Sequence, residues 1–132
     1  MSAEAPSGRF PKSAHVRKRR EYLQIQSNGR RVSLPHFVFV VVARSLDDAP
    51  GPRLGITASR KVGTAVARAR IRRLVREAFR ATRDLFPSDL DLVVIVKSAP
   101  PEFKLADVIA EWRNAQKQLG KRLDEARKAR GC

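Results

Sequence analysis

Residues 60–80 most constrain the fold, because they place an apolar face and an arginine face on one predicted helix. At about 100° per residue, one arc of that helix is expected to be buried. Its members are Ala67, Ile71, Leu74, Val75, Ala78 and Thr82, with Phe79 at the edge. Arginines recur at four-residue intervals round the other arc, at positions 68, 72, 76 and 80. Such a helix docks on a core and leaves its cations outside.

These cations have few acidic neighbours along the chain. No acidic residue occurs between positions 49 and 76, and only Glu77 inside the helix offers a carboxylate one turn from an arginine. A charge run is usually a solvated face, but solvated faces normally mix signs. The pattern therefore favours an external anion that relieves the repulsion.

The chain as a whole is strongly basic. Its 132 residues contain 28 Lys and Arg against 13 Asp and Glu, which gives a net charge of +15 at pH 7. Such a charge steers a protein toward nucleic acid or an anionic membrane. The longest apolar runs, residues 37–43 and 92–96, have the length of strands and are too short to span a bilayer. We therefore expect a nucleic-acid partner and no membrane partner.

The N-terminus and the cysteine content indicate the compartment. The first residues lack the apolar core of a secretory signal, and the single cysteine, Cys132, excludes a disulfide framework and a cysteine-based metal site. We expect a cytoplasmic protein.

Composition and periodicity predict one domain with two tails. A disordered, proline-containing tail over residues 1–14 precedes a domain over 15–123, and a charged tail follows over 124–132. For this charged end of the chain, extension of the last helix and fraying are both open. Inside the domain we predict a basic helix over 16–27, strands over 37–44, 53–59 and 91–96, an arginine helix that begins after Thr64 and fades before Pro87, and a last helix over 105–123. The predicted order is a helix, two or three strands, the arginine helix, a strand and a last helix, or α-β-β-β-α-β-α with a third strand whose position the sequence leaves open. This is an α+β fold with a small central β-sheet covered by helices.

The strand over 37–44 is apolar on both faces. Strand alternation places Phe37, Phe39, Val41 and Ala43 on one face, and Val38, Val40 and Val42 on the other. We therefore expect this strand to lie between two layers.

No self-sufficient active site is visible in the chain. The acidic residues are scattered, the two histidines share no ligand spacing, and the glycines form neither a Walker loop nor a dinucleotide fingerprint. We expect no catalytic residue, no metal site and no nucleotide cofactor in the protein. Tyr22, which lies among basic residues, is a candidate for stacking on a base, and packing of its ring on the sheet is an equally open interpretation.

Residues 55–66 (GITASRKVGTAV) and 68–80 (RARIRRLVREAFR) closely resemble the bacterial ribonuclease P protein component. The resemblance covers about residues 16–119. Thr64 and Ala69 stand where the family has asparagines. Threonine can still cap the helix, whereas alanine cannot form the side-chain hydrogen bond of an amide.

The resemblance implies the protein subunit of ribonuclease P. Such a subunit binds the catalytic RNA subunit and the 5′ leader of precursor tRNA, and assists the Mg²⁺-dependent endonucleolytic removal of the leader that gives mature 5′ ends. The RNA would carry the chemistry and bind most of the Mg²⁺, and the protein would be its cofactor. The implied fold has a left-handed crossover through the arginine helix.

The resemblance also implies two groups of site residues. The RNA-binding group comprises Arg60, Lys61, Arg68, Arg70, Arg72, Arg73 and Arg76. The leader-binding cleft comprises Tyr22, Gln26, Phe39 and Val40, with Gln26 where the family often has an aromatic residue. The alternatives are a structural RNA-binding protein of ribosomal type without a substrate role and a protein-only nuclease, which the scattered carboxylates disfavour.

Overall fold

The computed structural model describes residues 29–43 and 52–131. The predicted tail over 1–14 and the predicted helix over 16–27, which includes Tyr22 and Gln26, lie outside the described residues.

Four strands form one mixed sheet. They are β1 (Arg30–Ser33), β2 (Phe37–Ala43), β3 (Arg53–Thr57) and β4 (Leu90–Val96), in the spatial order β1-β2-β4-β3. β2 pairs antiparallel with β1 and β4, whereas β3 pairs parallel with β4. A parallel pair needs a crossover between its strands, and the helix between β3 and β4 provides it. The left hand of that crossover stays a prediction.

The described chain also contains three α-helices: α1 (Ala65–Ala81), which lies between β3 and β4, and α2 (Leu105–Asn114) and α3 (Gln116–Gly131), which come after β4. α1 contains the predicted arginine face. Short 3₁₀ turns precede it at Arg60–Val62 and follow it at Arg83–Leu85.

The main core lies between the helices and one face of the sheet. Its centre is Trp112 of α2, which is fully buried and packs edge-on against three phenylalanine rings, with ring centroids 5.0 to 6.0 Å apart. These rings are Phe37 and Phe39 of β2, and Phe86. On the other face of the sheet, Val40 and Val93 are also fully buried. The predicted burial of β2 on both faces is confirmed.

The α+β class is confirmed. The predicted third strand before the arginine helix had no position in the sequence, and in the structure it is β1. The single helix predicted over 105–123 is two helices that meet at Ala115, and the second continues to Gly131. Residues 124–131 thus extend the helix, which was one of the two open alternatives for the charged tail. Ala126 is buried there, and Arg127 donates two hydrogen bonds to Asp89, of 2.8 and 2.9 Å. Among the described helices, none combines the length and the apolar character that crossing a bilayer requires.

Candidate nucleic-acid interface

The start of α1 is fixed by its local sequence. Thr64 is the N-cap, and its Oγ1 accepts a hydrogen bond of 3.1 Å from the backbone N of Ala67, as predicted. Gly63, with φ 155°, joins the preceding 3₁₀ turn to the cap. A Cβ at this position would lie 3.2 Å from the Cβ of Ala67, so glycine is the residue that fits. The turn that carries Arg60 and Lys61 is thereby held at the head of the helix.

The core fixes the orientation of α1. Its inner side buries Ile71, Val75, Ala78 and Phe79, and Thr82 is fully buried at its C-terminal end. The predicted apolar face is confirmed, with Ala67 and Leu74 partly buried at its border. Because this side is locked against the sheet and α2, the arginines must point elsewhere.

The predicted RNA-binding cations lie together on α1 and on the turn before it. Arg60, Lys61 and Arg73 are exposed, whereas four others are partly buried: Arg68, Arg70, Arg72 and Arg76. Within the described residues, none of this group forms an ion pair; the salt bridges there involve other residues. The side chains therefore form a positive surface, and Glu77, the one acidic residue of α1, forms no ion pair with them.

Three arginines of this surface, all partly buried, lie against other parts of the fold. The Nη2 of Arg70 donates a hydrogen bond to the backbone oxygen of Phe103, which ties α1 to the loop before α2. The Nη2 of Arg72 lies 3.4 Å from the backbone oxygen of Ala58. The Nε of Arg68 is buried and has no hydrogen-bond partner among the described residues. A guanidinium has five N–H donors, so Arg70 and Arg72 keep donors for another ligand.

Arginines outside this surface bind the aspartates around β4. Asp91 accepts hydrogen bonds of 2.9 and 2.7 Å from Arg53. Asp84 accepts two from Arg113, of 2.9 and 3.2 Å, and the guanidinium holds the pKa of this carboxyl below its ordinary value. With Asp89 bound to Arg127, all three carboxylates are engaged by cations. No group of three or more potential metal-ligating residues occurs in the described chain.

The structure changes the predicted leader-binding cleft. Phe39 is fully buried in the main core, with its ring 5.0 Å from Trp112 and 6.1 Å from Phe86. In this structure Phe39 is part of the core, and its predicted place in the leader-binding cleft gains no support from that position. Val40 points to the opposite face of the sheet and is also fully buried. Phe39 and Val40 therefore do not line one surface, because neighbouring residues of a strand face opposite ways.

Two further residues have roles that the sequence interpretation did not specify. His36 places its Nδ1 2.7 Å from the Oε1 of Glu111, and its backbone N donates to Oε2 at 2.8 Å. It therefore links the β1–β2 turn to α2. Val66 was assigned to neither face of the arginine helix, yet it is 80% exposed beside the cations. The helical angle of Val66, opposite the buried arc, was the signal that could have identified it.

Comparison of the sequence with known proteins finds relatives of this chain. The family model for Ribonuclease P matches residues 10–120. The ribonuclease P protein component of Syntrophus aciditrophicus (strain SB) is 47% identical over 100 residues, which cover 76% of this chain and 82% of the relative.

Two solved structures show the same fold. The RNase P protein of Staphylococcus aureus superposes with a TM-score of 0.69 at 24% identity, over 80% of this chain and 94% of that protein. The RNase P protein of Thermotoga maritima superposes with a TM-score of 0.65 at 28% identity, over 79% of this chain and 96% of that protein. The α+β arrangement of sheet and helices is thus shared with both.

Proposed function

The chain belongs to the ribonuclease P protein family and is the protein component of this tRNA-processing endoribonuclease, and on that premise we propose that its α1 cations bind the RNA subunit. The single observation that carries the proposal is the cation surface defined above. None of its members forms an ion pair within the described residues, so their charge is available to the phosphates of a partner.

Counterion release supplies the driving force for this binding. A catalytic RNA and a precursor tRNA repel each other, and a small arginine-rich protein can neutralise phosphates on both. Each phosphate contact contributes a salt slope of about −0.7 to −0.9 in a plot of log K against log salt. Six to ten contacts lower the affinity by about three to five orders of magnitude between 50 and 200 mM salt. The positive surface therefore predicts strongly salt-dependent binding.

We propose that the RNA subunit carries the chemistry and binds most of the Mg²⁺. Two observations support this proposal: Asp84, Asp89 and Asp91 are each engaged by an arginine, and the described residues contain no group of three or more potential metal ligands. The protein then contributes charge and positioning to the endoribonuclease complex.

The second proposed partner is the 5′ leader of precursor tRNA. Since Phe39 and Val40 are fully buried, this proposal rests on Tyr22 and Gln26, which the sequence places among basic residues. An aromatic ring can stack on an unpaired base. We expect Tyr22→Ala to weaken binding of precursor tRNA and to leave binding of mature tRNA unchanged, as measured with the assembled complex. The predicted cytoplasmic location stays a prediction.

Reconstitution tests the proposal directly. The full chain is mixed with ribonuclease P RNA and precursor tRNA at low Mg²⁺, and mature 5′ ends are measured. We expect the wild-type chain to stimulate cleavage, and the double variant R73A/R76A to stimulate it less at the same protein concentration. Lys117→Ala on α3 is the control for loss of one exposed charge elsewhere.

Each other outcome rejects a specific part of the proposal. RNA binding without stimulation would favour a structural RNA-binding protein of ribosomal type. Cleavage without added RNA would contradict the assignment of the chemistry to the RNA subunit.

A further inference from the structure

Val66 is an apolar side chain in solvent on a basic surface. It is 80% exposed, and no other large hydrophobic residue of the described chain is classed as exposed. Ala65 and Ala69, which are also exposed, adjoin it on the outer side of α1. Nothing in the local fold accounts for a valine here, because it lies outside the core and a β-branched residue is a poorer helix former than alanine.

Cations border this apolar surface. Arg73 lies two turns along α1 and within about 20° of Val66 around the helix axis. Arg60 and Lys61 are exposed on the turn that leads into the helix. None of these three forms an ion pair with a described residue. The three cations thus favour a polyanion as the ligand. The exposed Val66 between them favours a polyanion that also presents an apolar surface.

Unpaired nucleotides satisfy both conditions. In an RNA helix the faces of the bases are hidden by stacking, whereas in loops and single strands they are open to apolar side chains. We infer that Ala65, Val66 and Ala69 form a contact site for an unstacked nucleobase, while Arg73 and its cationic neighbours bind the adjoining phosphates. This inference rests on the proposed function, because it specifies how the RNA subunit meets the head of α1.

A second copy of the chain fits this surface poorly. The apolar area consists of one valine and two alanines, and each copy carries a net charge of +15. Two such surfaces repel each other. An RNA loop supplies the opposite charge and needs only a small apolar contact.

The substitution Val66→Ala tests the inference with the full chain and ribonuclease P RNA. It removes two methyl groups from the contact, so the dissociation constant is expected to rise about 3- to 10-fold. Because no charge changes, the rise is the same at every salt concentration and the salt slope stays at the wild-type value. The midpoint of thermal unfolding is expected to stay the same or rise slightly, since alanine favours the helix.

Two further measurements identify the contact. Val66→Thr keeps the shape of the side chain and makes it polar, so it is expected to weaken binding in the same direction. Base-specific chemical probing of the bound RNA is expected to show a nucleotide that the wild-type protein protects and that Val66→Ala leaves reactive.

Arg73→Ala and Lys117→Ala serve as matched controls. Arg73→Ala is expected to make the salt slope shallower, and Lys117→Ala to leave it unchanged. Wild-type affinity of Val66→Ala together with a shallower slope for Arg73→Ala would overturn the nucleobase contact alone. If Arg73→Ala also had no effect, the proposed function itself would fail. A changed slope for Val66→Ala, or self-association of the protein that Val66→Ala abolishes, would also overturn the inference.

Discussion

Arginines serve two different purposes in this molecule. Arg53 on β3, Arg113 on α2 and Arg127 on α3 each bind an aspartate through two hydrogen bonds. The arginines of α1 at positions 68, 70, 72, 73 and 76 have no acidic partner in the described chain. The first set holds elements of the fold together, and the second leaves its charge available.

The position of the carboxylates explains this division. Asp84, Asp89 and Asp91 lie just before β4 or within it, and arginines 29 to 38 residues away reach them from other elements. Three of the ion-paired acids therefore lie within eight residues of the chain, ahead of β4 or at its start. Whether an arginine is available to RNA therefore depends more on whether the fold places an aspartate beside it than on how many arginines the chain contains.

The largest effect on stability is expected for Arg53→Ala. Asp91 is 4% exposed, so removing its partner leaves a buried carboxylate without that cation. We expect the free energy of unfolding to fall by about 3 kcal/mol, as measured by chemical denaturation. The double variant R53A/D91N also removes the negative charge of Asp91 and should recover part of the loss. If Arg53→Ala unfolded at the wild-type midpoint, the ion pair would not stabilise the fold. The distinction between arginines that hold the fold together and arginines that are available to RNA would then fail.

A smaller loss of stability is expected for Arg70→Ala. This variant sharpens the comparison between the two sets of arginines, because Arg70 belongs to the α1 set and also donates a hydrogen bond to Phe103. Loss of that hydrogen bond should lower the free energy of unfolding by about 1 to 2 kcal/mol. The exposed neighbour Arg73 makes no such bond, so Arg73→Ala should change it by less than about 0.5 kcal/mol. Equal effects of the two substitutions would show that the contact to Phe103 does not stabilise the protein.

The smallest effect concerns the exposed pair of Asp84 and Arg113. Because the hydrogen bond from Arg113 lowers the pKa of Asp84 from its ordinary value of 3.8, the pair stabilises the folded state above about pH 4. This contribution is lost as the pH falls through the lowered pKa. The difference in melting temperature between wild type and Asp84→Asn should therefore be present at pH 7 and vanish in acid. A difference that keeps its full size down to the most acidic pH at which the protein is still folded would contradict the ion-pair explanation.

Local patterns predicted much of the fold. The alternation of β2, the buried arc of α1 and the cap at Thr64 depend on neighbours in the sequence, and all three predictions are confirmed. The four-residue strand β1 was not located because only Val32 in it is buried. The break at Ala115 has no proline or glycine to mark it, and apolar residues continue at helical spacing on both sides.

The site was harder to predict because its contacts are distant in sequence. Alternation separates Phe39 from Val40 but does not say which of the two meets the helices. The bond from Arg70 to Phe103 spans 33 residues, so no local pattern reveals it. Exposure of Val66 follows from the same helical geometry that placed the arginines, and it was available from the sequence.

The salt dependence of RNA binding tests the central claim most directly. Affinity for ribonuclease P RNA is measured from low to moderate salt for wild type, for R73A/R76A and for K117A/K128A, two variants that each lose two positive charges; Lys117 and Lys128 are exposed on α3. Loss of two phosphate contacts should make the slope for R73A/R76A shallower by about 1.4 to 1.8, while K117A/K128A keeps the wild-type slope. Equal changes in both variants would show that net charge alone attracts the RNA, and would contradict a dedicated binding surface on α1.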